Sequence, residues 1–405
     1  MNPQAQSAPV PRAAFVFLMA SMSSLVALSI DTMLPALPAM GAALGVADAN
    51  DYPLVISVLF LGMSIGTLIY GPVSDSLGRR GPIFFGLALF CAGTLLCLVA
   101  DNFATMLIGR FIQGLGVAGP RIVSMALVRD IYSGRAMAKV MSLVMVVFIL
   151  VPALAPLLGQ LMIALGGWRM IFVMFLVLSV AVGLWFGLTQ PETLPPAQRR
   201  AFSLSRIGRA VLAVFRQPQA LGYSLAAGLM FGALIGYLST AQPVLEVLYG
   251  LGDRFSIYFG VVALFIGISS WINSRLVMQL GMRYLSGAAL LAVTVLSLIY
   301  LPVVWLYDGV PPLWSLMVFL SAAFFAVGML FANYNAMALE PDELAPVAGV
   351  AAAVVGSVTT LIAAPIGSWI GQVYDDTVWS LVGGFAALSL ATQFVVRYTE
   401  KRRSS

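Results

Sequence analysis

The chain has no histidine, and cysteine occurs only at Cys91 and Cys97. A Cys/His metal site or a histidine proton relay within the chain is thereby excluded. The two cysteines share one apolar run, and a regular helix cannot bridge them to each other. Charge is almost as scarce, at 9% of the 405 residues against 61% hydrophobic. Soluble domains carry about a quarter charged residues, so there is too little polar sequence to coat a water-soluble core. A membrane protein is the class that remains. Lysine occurs only at Lys139 and Lys401, so the net charge of +5 is an arginine charge. Those arginines sit between apolar runs and form no continuous basic face, which argues against a nucleic-acid partner.

What the chain has in abundance is long hydrophobic runs. A helix needs about 20 apolar residues to cross the hydrocarbon. Twelve segments reach that length: 13–40, 53–72, 82–100, 104–127, 138–164, 169–189, 219–245, 255–276, 284–306, 313–338, 345–373 and 378–397. The first of them runs past the length of a signal-peptide core and reads as a span more than as a cleaved leader. An even count puts both ends on one side. With both termini cytoplasmic, 17 of the 21 Lys and Arg fall on that side, including Arg12 and Arg200. Only Arg169 and Arg254 face the other way, while Arg110 and Arg121 lie inside the fourth span. That asymmetry is a strong positive-inside signal.

The expected fold is an all-α integral membrane protein, with 12 transmembrane helices in two pseudo-symmetric six-helix bundles. The polar stretch "QPETLPPAQRRAFSLSRIGRAVLAVFRQP" divides it into residues 1–189, a cytoplasmic linker 190–218, and residues 219–405. The middle of the linker reads equally as a solvated segment or as an amphipathic helix on the anionic leaflet. A shift of 203 residues lays Gly281 and Arg283 over Gly78 and Arg80, with Met278 where Asp75 stood. Two related halves of six spans are the architecture of a rocking transporter with its site between them.

Between the second and third runs lies "GPVSDSLGRRG", a polar, glycine-bounded turn. Its spacing and place resemble the G-x-x-x-D-x-x-G-R-R/K loop of the major facilitator superfamily. The resemblance implies a conformational latch made of Gly71, Asp75, Gly78, Arg79 and Arg80. "LIGRFIQGLGVAGPR" resembles the R-x-x-Q-G-x-G-x-A motif of the same family, through Arg110, Gln113, Gly114, Gly116 and Ala118. "SIDTMLPALP" resembles the D-x-x-x-P-x-x-P pattern of twelve-span drug:proton antiporters. "VPALAPLLGQL" keeps Pro152, Pro156 and Gly159 of the antiporter signature, residues that bend and pack a helix. "YLSTAQPVLEVLYGLGDRFSIYFG" and "NYNAMALEPDELAPVAGVAAAVVGSV" look like the bicyclomycin/chloramphenicol-resistance (Bcr/CflA) exporters of bacteria.

Read from the residues themselves, charges inside hydrocarbon are costly and mark function. Asp31, Arg110 and Arg121 are the three such charges. Arg110 and Arg121 are three turns apart and share one face of the fourth helix, the face expected to point at the central cavity; Arg121, nearer the cytoplasmic end, reads equally as an interfacial anchor. A carboxyl that gains and loses an arginine partner during rocking changes its hold on a proton. Asp31, modulated by Arg110, is therefore the candidate proton-coupling site; the competing reading is a helix cap or kink ahead of Pro35 and Pro38. Candidates for the substrate cavity are Gln113, Tyr237, Gln242, Asn333, Tyr334 and Asn335. Glu246 is a candidate gate or a loop acid. Glu340, Asp342 and Glu343 are expected to meet the arginines of the 71–81 stretch across the interface.

These readings give a proton-coupled exporter of small amphipathic molecules in the bacterial inner membrane, working by alternating access. The alternative is a carrier of a small metabolite, an amino acid or a siderophore, on the same scaffold. No enzyme chemistry, metal or cofactor is expected. The partners are a small-molecule substrate, protons and the lipid bilayer, and the chain is expected to act as a monomer.

Overall fold

The computed structural model describes residues 13–199 and 201–403. Arg12 and Arg200, two of the cations in the topology count, lie outside them. Twelve helices are long and apolar enough to cross a membrane. They are α1 (Ala13–Ala43), α2 (Ala49–Leu77), α3 (Arg80–Leu98), α4 (Phe103–Ile131), α5 (Gly134–Gly166) and α6 (Arg169–Thr189). The remainder are α7 (Pro218–Leu248), α8 (Gly252–Leu280), α9 (Met282–Leu306), α10 (Leu313–Ala338), α11 (Ala348–Gln372) and α12 (Trp379–Arg403). Among the described residues every regular element is helical. Helices satisfy their own backbone groups, and that is what hydrocarbon demands.

The packing repeats with a period of six helices. In the first half α1 lies against α4, α5 and α6, α2 against α4, and α3 against α4 and α6. In the second half α7 lies against α10, α11 and α12, α8 against α10, and α9 against α10 and α12. The halves meet through α2 against α11 and α5 against α8, two contacts that the same six-helix shift exchanges. Close packing rests on small residues. A Cβ on Gly114 would collide with the Leu59 carbonyl, and one on Gly116 with the Phe90 amide, so α4 is wedged between α2 and α3.

Two features differ from the sequence expectation. Residues 71–77 are not a turn: α2 stays helical through Leu77, carrying Pro72 within it, and only Gly78, at φ +96°, breaks the chain. A hydrophobicity criterion stops α2 where polar residues begin, but those residues are helical because α4 and α3 pack beside them. Gly71 has open space where a Cβ would sit, so it serves no close packing. In the linker, Leu204–Arg216 forms a helix that lays Ala210 and Val214 against the second half, next to α11 and α7. Leu204, Leu212 and Phe215 remain exposed on it.

Below, the face carrying the two termini, the Gly78 turn and the linker is the terminal face, and the other is the far face.

Candidate functional site

The interior site begins with a break in α1. Helical hydrogen bonding stops at Asp31, because Pro35 has no amide to give to residue 31. The Met33 amide turns instead to the Ile30 carbonyl at 3.3 Å, and a short 3₁₀ turn, Leu34–Ala36, follows. The Ser29 carbonyl is thereby released, and Nη2 of Arg110 takes it at 2.7 Å. The same guanidinium donates to the Val55 carbonyl at 2.9 Å and to Oε1 of Gln113 at 2.8 Å. Arg110 is fully buried. Its charge is spread over three oxygens on α1, α2 and α4, so it ties the first half together and does not line a cavity.

Asp31 stands two residues from that anchor and is not bonded to it. Of the 16 acidic residues, all within the described part, it alone is buried. Its side chain makes no hydrogen bond or ion pair among the described residues, and the 3₁₀ turn that follows it packs against α7, the helix of Tyr237, across the interface. Tyr237 stacks on Phe259 at 5.7 Å and meets Phe324 edge-on at 4.7 Å, with its hydroxyl unpartnered. The Thr32 and Ser57 hydroxyls are likewise buried without partners. Buried polar atoms are nearly always satisfied. A buried carboxyl without a partner, with the orphan hydroxyl of Thr32 beside it in the chain, marks a place where a proton, water or ligand group can be accepted.

The other expected cavity residues are dispersed. Gln113 turns towards α3 and donates to Thr94 at 2.7 Å. Asn333 forms a reciprocal amide pair with Asn273 of α8, at 2.9 and 3.2 Å. Asn335 bonds back to Phe331 of its own helix. Tyr334 lies 5.7 Å from Tyr223, its hydroxyl unpartnered. Gln242 donates to Glu246 at 3.2 Å and borders a far-face cleft of about 180 Å³, together with Pro38, Tyr52 and Tyr374. Gly159 abuts the Thr32 carbonyl, so that α5 presses on the break in α1, with Pro152 and Pro156 in the same helix.

Access is set by how the halves meet. Asn50 donates to the carbonyls of Gln372 and Tyr374, and Gln372 donates to Asp51. Ser256 donates to Gln160, and at mid-span Ser357 donates to the Ser64 carbonyl. These five are the hydrogen bonds that join the halves among the described residues, and none lies on the terminal side. Phe60 of α2 meets Phe231 of α7 at 5.5 Å near mid-span. The far face is therefore closed.

On the terminal face, Nη1 of Arg79 bonds Asp75 at 2.7 Å and Nε bonds Asp130, at the end of α4, at 2.8 Å. Glu192, just past α6, accepts from the backbone amides of Arg79 and Arg80 at 2.8 and 3.1 Å. Burial works against the Arg79 charge, yet Asp130 and Asp75 hold its guanidinium above its ordinary range. Burial also opposes ionisation of Glu192, but three backbone amides and the nearby Arg199 hold its carboxyl below the usual value. Arg80 caps the end of α6 through the carbonyls of Gly187 and Gln190. Asp75 thus faces its own half. Glu340 binds Arg283 and Gln219, and Glu343 binds Gln217, so the expected bridge from these acids to Arg79 and Arg80 is not made. With the terminal side unjoined, those groups have nothing across the gap to reach. The sequence reading missed Asp130 and Glu192; the signal was there as acids set beside the arginine-rich segments "VRD" and "QPETLPPAQRR".

A model of the Major Facilitator Superfamily matches residues 19–364. The chain is 30% identical over 365 residues to the bicyclomycin resistance protein homolog of Haemophilus influenzae, covering 90% of each. It is 27% identical over 378 residues to the multidrug resistance protein MdtL of Escherichia coli, covering 92% of each. Among solved structures, the human organic anion transporter MFSD10 aligns over 96% of this chain and 100% of its own, with a TM-score of 0.69 and 18% identity, a likeness of fold.

Proposed function

The chain belongs to the major facilitator superfamily, and on that premise we propose that it exports small amphipathic molecules, drugs of the bicyclomycin and chloramphenicol kind among them, in exchange for protons. Membership makes it a multi-pass membrane transporter and not an enzyme. Resistance proteins among its relatives support a drug-like cargo. The terminal face is the cytoplasmic one in this proposal, supported by the 17 cations assigned to that side, and the protein sits in the bacterial inner membrane as a monomer. Residues 1–189 and 219–405 rock as two bundles about the linker 190–218, alternately exposing the space between them. In the conformation described, the hydrogen bonds between the halves lie at the far face and mid-span, which in this proposal makes the cytoplasmic side the one that is free to part.

Asp31 is the observation that carries the reading. A buried carboxyl without a protein partner, beside the interface that must open, binds a proton in one conformer and releases it in the other. Rocking that brings a cation or water to Asp31 changes its affinity for that proton, and linkage makes cargo movement respond to the gradient. The test is cargo flux in inverted vesicles with a pH gradient imposed or collapsed. Asp31→Asn is expected to abolish gradient-driven accumulation of chloramphenicol while binding stays measurable. Undiminished gradient-driven flux in that variant would remove Asp31 from the coupling role.

A further inference from the structure

Arg110 and Arg121 share a face of α4, but only one is satisfied. Arg110 has three oxygen acceptors and no exposure. The Arg121 side chain makes a single hydrogen bond among the described residues, from Nη1 to the Met63 sulphur of α2 at 3.8 Å. None of the 16 carboxylates lies within ion-pair distance of it. The residue is only partly buried and keeps accessible surface. A guanidinium with no anion, deep in a membrane protein, is costly unless something else neutralises it.

Aromatic rings stand near the same stretch of α2. Phe60 is one turn from Met63 on α2 and meets Phe231 across the halves; Phe231 in turn meets Phe331 of α10 at 5.3 Å. Phe331 is 39% exposed, and the hydrogen bonds that join the halves among the described residues run from mid-span to the far face.

We propose that Arg121 is the recognition point for a negatively charged group on the cargo, and that the substrates include amphipathic organic anions with a carboxylate on a ring-bearing apolar body. A guanidinium binds a carboxylate through paired charge-assisted hydrogen bonds, and flanking rings take the apolar part. The assignment rests on the exporter reading for its meaning, but not for its measurement.

Two fluorescent probes with one apolar body separate the effects: dansylglycine carries a carboxylate and dansylamide does not. Titrated into the purified full chain in maltoside detergent, the wild type should bind dansylglycine about tenfold more tightly than dansylamide. Arg121→Gln should collapse that ratio to near one, and Arg121→Lys should keep part of it. Met63→Glu, which hands the guanidinium an internal anion while leaving Arg121 in place, should collapse it too. A ratio near one in the wild type, or a ratio that survives Arg121→Gln, overturns the proposal. Displacement of dansylglycine by phosphatidylglycerol would assign Arg121 to a lipid headgroup and equally overturn it. In proteoliposomes, charge-selective binding without flux of either probe would sink the exporter reading and leave the anion site standing.

Discussion

Each half carries an arginine clasp at the terminal face, and the two are built differently. In the first half Arg79 joins the ends of α2 and α4 through Asp75 and Asp130, while Arg80 caps α6. In the second, the 203-residue shift puts Met282 in the place of Arg79 and Met278 in that of Asp75. Arg283, in the place of Arg80, does both jobs: it binds Glu340 past the end of α10 and, at 3.3 Å, Glu400 in the last turn of α12. Tyr223 of α7 donates to the same Glu400. The Arg79 side chain is 8% exposed and that of Arg283 33%. Two arginines let the first half bury one of them, whereas a single arginine serving two helix ends must stay near water. The repeat therefore keeps the geometry of a clasp while changing its energetics.

That difference ranks what mutation should do. Arg79→Ala removes the cation shared by Asp130 and Asp75; the guanidinium is buried, but the Asp75 and Asp130 side chains are 45% and 18% exposed. Breaking a fully buried pair costs about 3–5 kcal/mol, and with these carboxylates partly in water the expected outcome is a smaller but clear fall in melting temperature. Arg283→Ala removes a partner from two carboxylates that water still reaches. Exposed pairs contribute about 1 kcal/mol or less, so its melting temperature should stay near wild type and should approach it further in high salt. Equal losses in the two variants, measured side by side by thermal unfolding in detergent, would erase the distinction between the clasps.

The same contrast shows what the sequence could tell. Twelve spans, the six-helix repeat and the resemblance to the transporter family were legible, because hydrophobic length and positive-inside asymmetry are direct consequences of the bilayer. The chemistry inside was less so. Arg110 and Asp31 stood out as intramembrane charges, but nothing in the order of residues says that the break at Pro35 frees the Ser29 carbonyl, and that carbonyl, not the Asp31 carboxyl, is what Arg110 binds. Gln113 and Asn333 were polar residues on the expected helices. Which way they turn depends on partners, Thr94 and Asn273, more than a dozen residues away. Asp130 and Glu192 escaped notice because a carboxylate at a helix end looks like any solvated acid until its donors are placed: the Arg79 guanidinium and Thr193 hydroxyl for Asp130, the amides of Arg79 and Arg80 for Glu192.

Glu192 gives the smallest effect and the finest test of the contrast. It is the first half's addition to the clasp, receiving the amides of Arg79 and Arg80 at the start of α3 and that of Leu194 in the linker. Its carboxyl is held below the usual range in the folded protein. A depressed folded pKa means that its stabilising contribution is complete above the unfolded value, near pH 4.3, and is lost as pH falls through the lower folded one. Melting temperature should therefore decline on acidification below about pH 4, and Glu192→Gln should flatten that decline because its amide oxygen keeps the bonds from Arg79 and Leu194 without titrating, losing only the one from Arg80. Glu340 is depressed too, through its hydrogen bond from Arg283. It is exposed, so Glu340→Gln should flatten the profile less and lose what effect it has in high salt. A steeper acid dependence from Glu340 than from Glu192 would mean that the exposed clasp, not the buried one, carries the electrostatics of the terminal face.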